Sequence, residues 1–241
     1  MHTSIITTGK LPLHGQAFFV RFLHKEDIHE ILHLQTVVKN ALEVPDFLQP
    51  LTAEEYNSIL GGCGSIIGVF VNNKLIAFRA MLIPKMNDPE HLGIDLRLNE
   101  YQRKKMLYSE ISNVHPAFRG NRLQSYMGRL LFDQIDQQSF RYVATTVAPL
   151  NIASLKDKLA LGMAICSLKE KYNGKLRYIL FRDLHTTDDT PFYSDKQEVN
   201  IQDITKQQQL IKKGYRGISL QEKEQMYWIC FIKEQRRWSP V

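Results

Sequence analysis

A chain of 241 residues with 44% hydrophobic and 23% charged residues has the composition of a globular protein, long enough to bury a sizeable core. No window approaches the ~20 consecutive apolar residues of a membrane-spanning helix, so a membrane partner is not expected. The net charge of +6 suits an anionic ligand, but the basic residues are dispersed apart from "KEQRRW" near the end and are not interleaved with aromatics, which argues against nucleic acid.

The opening stretch, "MHTSIITTGKLPLHG", lacks the charged-then-apolar pattern of a secretory signal and reads as an N-terminal arm (1–15), so the expected location is cytoplasmic. Cys63, Cys166 and Cys230 are odd in number and far apart, which fits reduced thiols better than a disulfide framework or a zinc knuckle. "FFVRFL" (18–23) predicts a strand, and apolar residues at helical spacing follow from about Lys25 to Leu42. In "LQPLTAEEYNSIL", Thr52 and Glu55 form a capping box, and Gly61 with Gly62 supplies the stop. "SIIGVFVNNKLIAFRAML" predicts a hairpin around Asn72–Asn73, two residues that tolerate the positive φ of a type I′ turn.

A polar connection (85–103) leads to the strand "KMLYSEISNV", a helix over 122–138, the strand "YVATTVA" and a helix over 152–161. Apolar runs near 163–168 and 175–184 then predict two more strands. Beyond residue 185, "TTDDTPFYSD" reads as a loop, "IQDITKQQQLIKKG" as a helix closed by Gly214, and "QMYWICFIKE" as a strand. The aromatic run of this tail is expected to pack in the core; a sheet edge, a cover over an acceptor cleft and a homodimer contact are the other uses open to it.

The first helix contains "HEILH", the H-E-x-x-H pattern of zinc hydrolases at His29, Glu30 and His33. At ~100° per residue, the apolar stripe of Ile28, Ile31, Leu34 and Val38 lies opposite both histidines. A catalytic zinc also needs a third ligand in a cleft, so no metal is expected.

"VHPAFRGNRLQ" (114–124) ends a strand, turns at a proline and opens a helix near Asn121. The first N–H groups of a helix have no intrahelical partners and stand at the positive end of its dipole. The amides of Gly120, Asn121, Arg122, Leu123 and Gln124 form a candidate anion cradle, with Arg119 and Arg122 adding charge. The competing reading is an ordinary strand-to-helix turn with two solvated arginines. Neither G-x-x-x-x-G-K-[ST] nor G-x-G-x-x-G occurs in the chain.

Val114, Pro116, Arg119 and Gly120 match motif A of the GNAT acetyltransferases, V-x-P-x-x-R-G-x-G-x-G/A, which this segment resembles. "NIASLKDKLALGM" is similar to motif B through Asn151, Ser154 and Gly162, with Met163 in the place of the usual aromatic. The resemblance spans roughly residues 18–184. It implies an α/β (α+β) fold with a mixed, mostly antiparallel central sheet flanked by helices. The core would cover 16–185, and residues 186–241 would form a C-terminal helix-strand extension packed on it.

The implied function is transfer of an acetyl group from acetyl-CoA to a primary amine of a small molecule or peptide. The alternative is a catalytically silent acyl-CoA-binding module, with a zinc hydrolase a distant third. The resemblance makes residues 119–124, Asn151 and Ser154 the coenzyme contacts, and a backbone N–H around Asn113–Val114 the oxyanion donor. Arg122 and Gln124 replace two small residues of motif A; first-turn residues are expected at ordinary negative φ, so this replacement should leave the amides usable. Lys158 stands where many members carry the tyrosine that protonates the departing thiolate. It reads first as a solvated helix residue and second as that proton donor, with Tyr108, Tyr142 and Tyr172 weaker candidates. Period-2 alternation puts Tyr108, Glu110, Ser112 and Val114 on one strand face, where Glu110 is the one carboxylate and the candidate general base, with His115 as substitute.

Overall fold

A computed structural model describes residues 4–186 and 195–233. In chain order they form β1 (Ile5–Lys10), β2 (Ala17–Phe22), α1 (Ile28–Asn40), α2 (Ala53–Ser58), β3 (Gly64–Val71) and β4 (Lys74–Leu82). Next come α3 (Leu92–Asp95), α4 (Glu100–Arg103), β5 (Met106–Val114), α5 (Leu123–Asp133), β6 (Tyr142–Val147) and α6 (Ile152–Ala160). The last six are β7 (Ala164–Lys171), β8 (Lys175–Asp183), β9 (Lys196–Asn200), α7 (Ile204–Lys212), β10 (Tyr215–Lys223) and β11 (Met226–Lys233). The expected α/β class with a mostly antiparallel sheet flanked by helices is observed.

The described residues divide into two compact units, one holding the chain up to Pro84 with Tyr108–Ile135, the other Lys85–Leu107 with Asp136 onward. In the first unit the strands lie in the order β1-β2-β3-β4-β5, each antiparallel to its neighbour. Ile31, Leu34 and Val38 of α1 and Tyr56 of α2 pack with Ile66, Phe70, Phe78, Ala80 and Ile111 in one apolar cluster on one sheet face. On the other face, α5 lies against β4, and Tyr126 meets the Phe18 ring edge-on at 5.7 Å.

Local signals hold where the sequence placed them. Thr52 accepts from the Glu55 amide at 3.2 Å while the Glu55 carboxylate accepts from the Thr52 amide at 2.7 Å, starting α2. Asn72 and Asn73 take φ of 49° and 59° and join β3 to β4. Gln35, buried on α1, fastens the next segment: its amide donates to the Leu51 carbonyl (2.9 Å), and its Oε1 accepts from the Leu51 amide (2.9 Å) and the Tyr56 hydroxyl (2.7 Å).

In the second unit the order is β6-β8-β7-β10-β11-β9, again antiparallel. The connection over 85–103 contains α3 and α4 and is fastened by a partly buried charge network. Lys171 on β7 reaches Asp95 at 2.9 Å and Glu90 at 2.6 Å, and Lys169 reaches Asp95 at 2.6 Å.

Three strands were not read from the sequence. Ile5–Lys10 pairs with β2 within the expected N-terminal arm. β9 and β10 turn the expected helix-strand tail into a strand-helix-hairpin whose β11 lies between β10 and β9, with Ile229 and Phe231 fully buried. The expected loop over 186–195 lies almost wholly outside the described residues. The helix expected over 122–138 ends at Asp133. No helix among the described residues is long and apolar enough to cross a membrane.

Candidate functional site

Within the first unit, the chain leaves β5 through His115, whose Nδ1 accepts from the Ala117 amide (3.2 Å) and so caps the short Pro116–Phe118 turn. Arg119 is extended and exposed. Gly120 follows at φ 82°, a left-handed conformation that glycine adopts without strain, and a Cβ there would stand 2.9 Å from Leu13 Cδ1.

Asn121 then turns inward. It is 3% exposed, its Oδ1 accepts from the Leu13 amide at 2.9 Å, and its Nδ2 donates to the Phe118 carbonyl at 3.0 Å and meets His14 Nδ1 at 3.1 Å. Arg122 returns to the left-handed region, φ 57° and ψ 21°, and serves as the N-cap of α5 without a side-chain capping bond. Left-handed residues thus stand on either side of Asn121, which makes this turn a candidate backbone nest for anions. The first helical bond around this end is Tyr126 N–H to the Arg122 carbonyl, so the earlier amides of α5 have no intrahelical acceptor.

Two sequence expectations change here. Arg122 does not hold an ordinary negative φ, so a glycine at this position of the motif relieves the backbone as well as allowing close approach. A left-handed L-residue costs about 1–2 kcal/mol, partly offset when glycine replaces it because the unfolded chain gains entropy. Arg122→Gly is therefore expected to raise stability by about 1 kcal/mol, read as a rise of about 2–4 °C in Tm.

The second change concerns β5. Ala80 pairs with Ile111 and Met81 with Ser109, so Glu110 is the extra residue of a β-bulge. The bulge breaks the period-2 alternation: Tyr108 shares a face with Ile111 and Asn113, opposite Ser112 and Val114. Tyr108 is also nearly buried.

Glu110 is half-buried at this bulge. The Tyr56 phenol is raised well above its ordinary value, first by burial and then by the negative charge of Glu110.

Two polar side chains of this unit escaped the sequence reading. Arg79, an isolated charge in the apolar run "IAFRAML", is completely buried; it donates to the Gln124 carbonyl at 3.0 Å and to Ser109 Oγ at 2.8 Å. A cation thus stands behind the first turn of α5 and strengthens the positive potential at its open amides. Its sequence signal was a lone arginine between hydrophobic neighbours.

Asn113 was considered only for its backbone. Its side chain is also completely buried, and neither Oδ1 nor Nδ2 has a hydrogen-bond partner. Leaving such groups unsatisfied costs about 1–3 kcal/mol each.

In the second unit, Asn151 is the N-cap of α6, its Oδ1 accepting from the Ser154 amide at 3.1 Å. The spacing of these two motif B residues is that of a helix cap. Lys158 is not solvated: it is 5% exposed, and its Nζ lies 2.9 Å from Oδ2 of Asp157, itself 3% exposed. Tyr142 is buried and stacked on Phe181, while Tyr172 lies 3.4 Å from Thr146 Oγ1. His29, Glu30 and His33 are exposed on α1, and no cluster of three metal-ligating side chains occurs among the described residues.

No family model matches the sequence, and no curated protein is similar to it. Solved structures are more informative. A GNAT-family acetyltransferase from Streptococcus pneumoniae shares 16% identity at a TM-score of 0.52, covering 69% of this chain and 99% of its own. The fold is that of the GNAT acetyltransferases. The ribosomal-protein-S18-alanine N-acetyltransferase from Escherichia coli gives 13% identity and a TM-score of 0.52, over 73% of this chain and 99% of its own. A Salmonella typhimurium structure containing its cofactor acetyl-CoA gives 15% and 0.51, over 71% and 96%. At these identities the likeness shows the GNAT fold alone.

Proposed function

We propose that this chain is an acetyl-CoA-dependent N-acetyltransferase acting on a primary amine. The observation that carries the reading is the open N-terminus of α5, flanked by left-handed Gly120 and Arg122, on a GNAT fold. Its open amides, the guanidinium groups of Arg119 and Arg122 and the buried charge of Arg79 fit a diphosphate. Asn121 would fix the nest by tying it to Leu13 and His14.

In the transfer, the amine nitrogen bonds to the acetyl carbon of the thioester co-substrate, the carbon–sulfur bond breaks, and coenzyme A leaves. Glu110 takes the amine proton, directly or through water. A backbone N–H around Asn113–Val114 donates to the oxygen on which negative charge develops. Lys158, 2.9 Å from the Asp157 carboxylate, supplies the proton or the charge that the departing thiolate needs.

A second reading has one observation in its favour. The Lys158 ammonium is already committed to Asp157, which suits a binding module of the same fold without turnover.

Acetyl-CoA at a hundredfold its Kd adds about 2.7 kcal/mol and should raise Tm by about 5–10 °C. Arg119→Ala should reduce that affinity about tenfold, the loss of one charge-assisted contact. No thermal shift would remove the coenzyme from the reading. A shift without thiol release across amino acids, peptides, polyamines and aminoglycosides would favour the silent module.

A further inference from the structure

We propose that the Asn113 side chain recognises the acceptor, and that this acceptor carries an amide beside its amine, as an amino-acid amide or the N-terminal residue of a peptide does. The inference rests on the acetyltransferase reading and adds a substrate class to it.

Asn113 is fully buried with both ends of its amide unpartnered, although a valine or leucine would fill an apolar strand position without that penalty. A polar group that burdens the fold in this way is accounted for by a ligand that satisfies it. The register says which ligand. Asn113 pairs with Phe78, and so shares the sheet face of Ala80 and Ile111. The Phe78 ring meets Tyr56 edge-on at 5.8 Å, which places this face against α2.

The candidate diphosphate nest opens α5, and α5 is anchored through Arg79 on the opposite face of the same sheet. Asn113 therefore belongs to the side from which the acceptor meets the coenzyme.

The chemistry of the side chain selects the class. A carboxamide offers a donor and an acceptor side by side, and an extended residue presents its own N–H and C=O in the complementary order. A carboxylate would satisfy only the donor end and would bring an uncompensated charge to a neutral amide. Because Asn113 is fully covered, the acceptor reaches it as neighbouring side chains yield.

The test compares alaninamide with isopropylamine, which has the same shape without the amide, using kcat/KM for acetyl transfer at millimolar concentrations. Alanine and 2-aminopropan-1-ol serve as the carboxylate and hydroxyl controls. The free-base fraction of each amine is the same whichever protein is assayed, so the change in preference between proteins isolates the side chain.

With each rate referred to the free-base concentration of its amine, wild type is expected to prefer alaninamide by roughly tenfold to a hundredfold, the effect of leaving a buried hydrogen-bonding group unpaired. Asn113→Val should reduce the free-base preference below about threefold and keep or raise Tm. Asn113→Ala provides a second background.

Equal rates with the two amines in wild type, including no transfer to either, overturn the inference. So does a preference that survives in a folded variant, or one that passes to alanine or the amino alcohol. Calorimetry with acetyl-CoA separates the two levels: binding with unchanged amine preference sinks only this inference, whereas no binding sinks the acetyltransferase reading with it.

Discussion

Glu110→Gln is expected to lower kcat by about a hundredfold to a thousandfold at neutral pH, the usual contribution of a positioned general base. The bulge at Ala80/Met81 makes Glu110 the residue of β5 released from regular pairing, and its carboxylate remains half-buried. Glutamine keeps the shape and removes the proton acceptor. Activity in the variant should recover as the pH rises toward the pKa of the acceptor amine, because more amine then arrives already deprotonated. An unchanged pH–rate profile would eliminate Glu110 from the chemistry, whatever happened to the absolute rate. Coenzyme affinity should be unaffected, since Glu110 precedes the nest by ten residues of sequence.

Lys158→Met is expected to destabilise the chain by about 3–5 kcal/mol, because it removes the cation 2.9 Å from the Asp157 carboxylate in a site where that residue is 3% exposed. At this chain length the loss corresponds to a fall of about 6–20 °C in Tm. Adding Asp157→Asn removes the buried negative charge and should recover most of the loss, giving a coupling energy of about 2–3 kcal/mol in the double-mutant cycle.

The double variant then decides the catalytic question. If Lys158 serves the departing thiolate, kcat stays about tenfold or more below wild type after stability is restored, a modest effect because a thiolate is already a good leaving group. Full activity in the restored variant would make the pair purely structural. A cycle with no coupling would show that the ion pair contributes nothing to folding.

What the chain order disclosed and what it concealed divide along the range of the interactions involved. The Asn72–Asn73 turn and the Thr52–Glu55 cap were legible because their partners lie within three residues, so the local sequence contains the whole interaction. Motif A and motif B could be placed for the same reason, each at a helix N-terminus. β1, β9 and β10 were missed. They are short or polar strands whose backbone bonds go to partners that no local pattern names, such as Ile165 for Gly217 or Trp228 for Asn200.

The sequence by itself determined the alternation of strands and helices, the uncapped start of α5 and the residue types that face it. Only the tertiary structure decided that Arg122 stands in the left-handed region, that a bulge moves Tyr108 to the other face from Ser112 and Val114, and that Lys158 and Asn113 are buried. The physical reason is that caps and turns are satisfied by neighbours in the chain, whereas register, burial and strain at one residue depend on segments tens of residues away. Val114 pairs with Ala77 across such a gap, and Asn121 is held by Leu13 and His14 across more than a hundred residues.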